Sequence, residues 1–227
     1  MAALLNEKSK PAGSAHFCGG SLIHPSWVMT AAHCALNQSA DEFQVAFGLD
    51  GLSSKVVGER YAVVEIVIHP RYVFRSENLD GDLALLRLER PVKDREPIRL
   101  FEGKVLTEME AQAVGWDEEL AGRPFTQLSL NLLTLSEAQA AIETAGIATS
   151  DEFSSDNIPV YSGAEAKGVC YGDSGGPLLV RDGTHWQLAG VTSIVVGIAW
   201  DTRLSANCSP ILHGSSGICL PRFRCLE

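Results

Sequence analysis

The sequence lacks any uninterrupted apolar run of about 18 or more residues, so nothing in it reads as a membrane-spanning helix. Its longest apolar stretch, Leu188 to Trp200, is too short and carries Thr192 and Ser193. It also lacks a basic cluster. Lys and Arg number 18 against 28 Asp and Glu, a formal net charge of −10. Neutralising phosphates needs a basic face, so a nucleic-acid partner is excluded. No secretory apolar core is present at the amino end, where Met1-Ala2-Ala3-Leu4-Leu5 meets Asn6-Glu7-Lys8 at once. Nor is there a CxxC pair among the six cysteines, Cys18, Cys34, Cys170, Cys208, Cys219 and Cys225. Zinc ligation usually needs such short spacings, so no metal and no cofactor is expected. An even cysteine count points instead to disulfides and an oxidising compartment, in tension with the missing export signal: either a leader was removed or the cysteines are free. No internal repeat or low-complexity tract occurs.

What is present fits an ordinary globular protein of 227 residues, with 45% apolar and 20% charged side chains. Short alternating segments dominate: Phe43, Val45 and Phe47; Val64, Ile66 and Ile68 around Glu65; Leu128, Leu130 and Leu132. Turn signals separate them at Gly48-Leu49-Asp50-Gly51, His69-Pro70, Asp80-Gly81, Arg90-Pro91 and Asp182-Gly183. The pattern predicts an all-β barrel or sandwich. One helix is expected over Ser136–Ile147, with Ser136 and Gln139 at capping-box spacing and Gly146 as its stop. A soft boundary near Gly103 divides the chain into comparable halves.

Three places carry chemistry. In Gly172-Asp173-Ser174-Gly175-Gly176-Pro177, glycines flank a serine. A hydroxyl is a weak nucleophile, and it works only on a tight, exposed turn with backbone N–H groups aimed at the charge it creates. In Thr30-Ala31-Ala32-His33-Cys34, the strand Trp27-Val28-Met29 delivers a histidine beside a cysteine. The chain holds five other histidines, and what distinguishes His33 is its place between a strand end and a candidate disulfide. Asp82 leads the apolar run Leu83-Ala84-Leu85-Leu86. A carboxylate there is partly buried and needs a partner, for which an imidazole N–H is suited.

The order His33, Asp82, Ser174, with these flanks, resembles the chymotrypsin/trypsin family of serine endopeptidases from about His16 to Ser193. His16-Phe17-Cys18-Gly19-Gly20-Ser21-Leu22-Ile23, Gly115-Trp116 and Asp82-Leu83-Ala84-Leu85-Leu86-Arg87-Leu88 are each similar to family segments. The resemblance implies two packed, antiparallel, six-stranded Greek-key barrels with the site between them. The first would span 16–103 and carry His33 and Asp82; the second would span 104–208 and carry Ser174. Residues 1–15 would be a non-matching segment, so that the first barrel lacks its amino-terminal strand, and 209–227 a divergent tail. It further implies His33, Asp82 and Ser174 as catalytic residues, the N–H groups of Gly172 and Ser174 as oxyanion donors, and Ser193 beside the triad on a substrate-pairing strand. The first specificity pocket falls at Gly168, which brings no charge, and Val195 stands where glycine is usual and narrows the slot. Small aliphatic residues before the scissile bond are therefore expected, with Lys167 close by in sequence.

Other implications follow from the same resemblance. Cys18 would pair with Cys34, Cys170 with Cys208, and Cys219 with Cys225, although Cys219 or Cys225 is an alternative partner of Cys170. Family members are activated when a new Ile-Val-Gly-Gly-like terminus pairs with the aspartate before the nucleophile, here Asp173. The sequence has no such tetrapeptide, which leads to the expectation of a zymogen-like oxyanion loop and weak activity. The partners expected are protein or peptide substrates and protein inhibitors, for a secreted monomer. Asn37-Gln38-Ser39 and Asn207-Cys208-Ser209 are glycosylation sequons. The rival reading is a catalytically silent member of the same fold that binds a partner.

Overall fold

A computed structural model describes residues 1–6, 15–52, 58–73, 80–116, 124–144, 154–162, 169 and 172–193, with backbone alone at 196–197 and 211–213. The first half holds β1 (Ala2–Asn6), β2 (His16–His24), β3 (Trp27–Thr30), α1 (Ala32–Ala35), β4 (Phe43–Phe47), β5 (Glu59–Ile68) and β6 (Ala84–Leu88). Its six strands close into a barrel in the order β1-β2-β3-β6-β5-β4. The inward residues Leu4, Val28, Phe43, Val45, Tyr61 and Leu86 fill the interior, each large apolar side chain contributing roughly 1.5–3 kcal/mol on burial.

The barrel is complete, which corrects the expectation that its amino-terminal strand is missing. Ala2–Asn6, placed by the resemblance in a non-matching stretch, pairs with both β2 and β4. The reason for the misreading is physical. Ala2 and Leu4 face the barrel interior, while Ala3 and Leu5 face outward onto Trp116 of the second unit, and all four are fully buried. A strand buried on both faces loses its alternation and reads as a short apolar run.

The second half holds β7 (Ala111–Trp116), β8 (Phe125–Leu132), α2 (Leu135–Thr144), β9 (Val160–Tyr161), β10 (Pro177–Asp182), β11 (His185–Val191), β12 (Val196–Gly197) and β13 (Ile211–His213). These strands form a seven-stranded sheet in the order β11-β10-β7-β8-β9-β13-β12. Among the described residues the protein is thus mostly β, a closed barrel and a second sheet with two helices, in keeping with the two-unit architecture the resemblance implies. The connecting segment returns along the second sheet: Phe101 N–H donates to the Leu188 carbonyl at 2.9 Å and Leu188 N–H to Arg99 at 2.8 Å. Leu188 and Val191 also pack into the core of the first barrel, so the two units share apolar surface.

Two local expectations shift. Strand β5 carries a bulge, with Val63 opposite Leu88 but Glu65 opposite Arg87. The extra residue, Val64, points outward at 44% exposure, and the inward phase passes from Tyr61 and Val63 to Ile66 and Ile68. Helix α2 begins earlier than its sequence signals suggest, because the capping box is Thr134/Glu137 and not Ser136/Gln139. Glu137 N–H donates to Thr134 Oγ1 at 3.2 Å, and Thr134 N–H donates to Glu137 Oε2 at 2.8 Å. The Thr134 amide first, then the Thr134 hydroxyl at 2.8 Å, both donating to Glu137 Oε2, hold that carboxyl below its ordinary value. Gly146, the expected stop, lies outside the described residues.

Candidate active site

Strands β3 and β6 are antiparallel neighbours, and Thr30 sits opposite Ala84. His33 follows Thr30 by three residues and Asp82 precedes Ala84 by two, so the register itself delivers both to one end of the barrel. There the Asp82 carboxylate binds His33 twice. Its Oδ1 accepts the His33 backbone N–H at 2.8 Å and its Oδ2 accepts from His33 Nδ1 at 2.8 Å. Ala31, ahead of the short helix α1, provides no side-chain cap, and the carboxylate takes that role from across the sheet.

A third donor comes from the second unit. The Ser193 hydroxyl also donates to Asp82 Oδ2. Burial of Asp82, 4% exposed, pushes its carboxyl pKa up, but the His33 ring bond and charge, the Ser193 hydroxyl and the His33 amide together outweigh burial. The net result is a carboxyl held below its ordinary value and ionised at neutral pH. Nearby Tyr72 responds in the opposite direction: burial first, then the Asp82 charge, pushes its phenol up to about 12. With Nδ1 donating to Asp82, His33 Nε2 carries the basic lone pair.

Ser174 stands on the turn leading into β10. Gly172, with φ +93°, and Gly175, with φ +76°, occupy the left-handed region that this turn demands. The turn is docked on the first barrel: Gly19 N–H donates to the Ser174 carbonyl at 2.7 Å. A Cβ on Gly175 would lie 2.2 Å from Thr30 Oγ1, 2.7 Å from the Gly19 carbonyl oxygen and 2.9 Å from Ala31 N. Gly19 adjoins Cys18, which is disulfide-bonded to Cys34, the residue after His33. The Ser174 turn and the His33 helix thus rest on the same few residues of β2 and β3.

Among the described residues, no hydrogen bond joins Ser174 Oγ to His33 Nε2, and the ring nitrogen lies 3.6 Å from Cys34 Sγ. The structure therefore links His33, Asp82 and Ser193 directly and brings Ser174 to the adjoining surface through backbone packing. Among the described residues, the N–H groups of Gly172 and Ser174 donate to no backbone carbonyl. Asp173 packs beneath the turn against Gly115, where a Cβ would come within 2.1 Å of its Oδ1. The Gly-Trp dipeptide has a plain cause: glycine clears space for that carboxylate, and Trp116 donates Nε1–H to the Leu49 carbonyl at 3.1 Å. Gly168, Val195, Cys170, Cys208, Cys219 and Cys225 lie outside the described residues. Cys18, His33 and Cys34 cluster as potential metal ligands, but the disulfide has consumed both thiols.

Two contacts were not legible in the sequence. The Thr30 hydroxyl donates to the Gly19 carbonyl at 2.7 Å, tying β3 to β2 under the Ser174 turn. The resemblance puts Ser193 beside the triad, but not its bond to Asp82, which crosses 111 residues of chain.

The family model described as trypsin matches residues 1–205. The chain is 32% identical over 192 residues to serine protease SP24D of Anopheles gambiae, covering 81% of this chain and 64% of that protein. It is 30% identical over 194 residues to granzyme M of Rattus norvegicus, covering 81% and 69%. Serine protease 28 of Mus musculus is 31% identical over 191 residues, covering 78% and 68%. The chain thus spans about two thirds of the length of these relatives, and slightly less for the mosquito protein.

Proposed function

From the premise that the chain belongs to the trypsin family, we propose that it is a serine endopeptidase acting through Ser174, His33 and Asp82. The observation that carries this reading is the Asp82 carboxylate, buried, ionised and holding the His33 ring by Nδ1 beside the Ser174 turn. In the general chemistry of the family, Ser174 Oγ attacks the peptide carbonyl carbon while His33 Nε2 takes its proton. The resulting oxyanion is received by the N–H groups of Gly172 and Ser174, and such a donor is worth roughly 3–4 kcal/mol of transition-state stabilisation. His33 then returns the proton to the leaving amine, and water hydrolyses the acyl-enzyme by the same route. Asp82 fixes the ring tautomer and balances the imidazolium, and Asp173 supports the oxyanion turn.

The resemblance puts the specificity pocket at Gly168 and Val195, residue types that suit Ala or Val before the scissile bond. Such pockets discriminate by about 1–3 kcal/mol per methylene. Proteins and peptides are the substrates, and protein inhibitors would occupy the same cleft. The disulfide supports a secreted enzyme. One observation favours a second reading, a silent homologue that binds a partner: among the described residues, Ser174 Oγ makes no hydrogen bond to His33.

Peptide p-nitroanilides ending in Ala, Val, Phe or Lys separate these readings. Release from the Ala and Val substrates, abolished by Ser174→Ala, is expected. No release from any of them by a folded sample would favour the silent homologue, and a preference for Lys would overturn the pocket assignment.

A further inference from the structure

We propose that Arg71, Asp80, Ser154 and Asp156 form a two-point latch between the two units that positions Asp82, making Arg71 and Asp156 positioning residues for the His33–Asp82 pair. The inference rests on the peptidase reading for its kinetic consequence, but the latch itself is structural.

The first point is the Ser154 hydroxyl, which donates to Asp80 Oδ1. The second is the ion pair between Arg71 and Asp156 at 2.5 Å. Ser154 and Asp156 lie between α2 and β9 of the second unit, whereas Arg71 and Asp80 belong to the first. Both ends are held by local hydrogen bonds. Ser154 N–H donates to Asn157 Oδ1 at 2.9 Å, Asp156 N–H to Ser154 Oγ at 3.1 Å, and Asn157 N–H to the Ser154 carbonyl at 3.1 Å. On the other side, Tyr72 N–H donates to the His69 carbonyl at 3.0 Å and His69 N–H to the Leu83 carbonyl at 2.9 Å.

Gly81 transmits the restraint. It adopts φ +73°, and a Cβ there would lie 2.6 Å from His69 Nδ1 and 2.9 Å from Tyr72 N. The Asp80–Gly81 turn is therefore seated flat on the His69–Tyr72 turn that carries Arg71. A pull on Arg71 or Asp80 reaches Asp82, the next residue, without a soft link between. Both latch charges also act on the intervening ring: burial first, then Arg71, lowers the His69 pKa, while Asp156 opposes them. Asp82 is thus tied to the second unit directly through Ser193 and indirectly through Asp80 and Arg71. Relative movement of the two units would displace the carboxylate from His33.

The Arg71 side chain is 49% exposed and that of Asp156 21%. Exposed pairs add little to stability, whereas small misplacements of catalytic groups are costly to rate. Stability and positioning therefore separate in an experiment. Arg71→Ala, Asp156→Ala, Ser154→Ala and the exchanged pair Arg71→Asp with Asp156→Arg are compared with the natural chain. Three readouts are used: the downfield His33 Nδ1–H proton resonance, the pH profile of kcat/KM on an Ala p-nitroanilide, and Tm.

In the single variants the resonance broadens or moves upfield. The value of kcat/KM falls by roughly tenfold or more, carried by kcat, with KM within about twofold. The acid limb moves to lower pH, because a displaced Asp82 stabilises the imidazolium less, and Tm changes little. The exchanged pair restores both resonance and profile. Single variants with an unchanged resonance and pH profile, whatever their Tm, would overturn the latch, as would an exchanged pair that folds without restoring them. If the natural chain shows the resonance but hydrolyses nothing, the peptidase reading fails, and the resonance alone still judges the latch.

Discussion

Replacing Gly175 by alanine tests how the Ser174 turn is held. The residue has φ +76°, where an L side chain costs roughly 1–2 kcal/mol. Its new Cβ would also meet two backbone atoms, the Gly19 carbonyl oxygen at 2.7 Å and Ala31 N at 2.9 Å, and neither can rotate away. Thr30 Oγ1 at 2.2 Å can turn aside only by giving up its bond to Gly19. Overpacking of this kind costs about 1–3 kcal/mol, so the variant should lose about 2–5 kcal/mol in total. In a protein of this length that lowers Tm by about 4–20 °C. Gly183 supplies the control: its φ is +58°, but a Cβ there meets nothing within 4 Å, so Gly183→Ala pays the backbone strain alone. The assay is thermal unfolding of both variants, with fluorophosphonate labelling of Ser174 alongside. Should the turn relieve the clash by moving outward, it breaks the 2.7 Å bonds from Gly19 N–H to Ser174 and from Gly175 N–H to Thr192. Labelling then slows by up to about a hundredfold as the thermal loss shrinks. Equal Tm losses for Gly175→Ala and Gly183→Ala, with labelling unchanged in both, would refute the reasoning.

Further outcomes follow from the same contacts. Because the Asp82 carboxyl is held below its ordinary value, its stabilising contribution is present at neutral pH and is lost as pH falls through that lowered value. The natural chain should therefore lose stability more steeply than Asp82→Asn below about pH 4, as read by urea unfolding at stepped pH. Thr134→Ala removes the cap of α2 and should cost about 1 kcal/mol by the same measurement. Joint replacement of Cys18 and Cys34 by Ala opens a loop of sequence separation 16 and should cost about 3 kcal/mol. It should also slow labelling of Ser174, because β2 supports the Ser174 turn.

The parts of the fold legible in the sequence were those whose two faces differ in composition. Phe43, Val45 and Phe47 alternate with the half-buried polar Gln44 and the small Ala46, and β4 lies where that pattern places it. Strand β1 was illegible because both faces are dry, and a period of two cannot show when every position is apolar. Val64 misled because a bulge changes the phase of β5, and a bulge leaves no mark on local composition. The helix was found but its start was not: Ser136 and Thr134 both suit a cap, and only the Glu137 carboxylate, reaching back to Thr134, decides between them. At the site, His33 and Asp82 were recognisable from their flanks. Ser193 was placed beside them by the same resemblance, but its bond to Asp82 and the Thr30 bond were not legible, since they join residues remote in sequence and depend on strand register. The support of Asp82 from Ser154 and Asp156 was hidden for the same reason.

The most direct test of the central claim is to react the folded chain with a fluorophosphonate and locate the adduct by peptide mass mapping. The account predicts a single adduct on Ser174, strongly suppressed by His33→Ala and Asp82→Asn. Labelling that spares Ser174, or that proceeds at the same rate without His33, would contradict it.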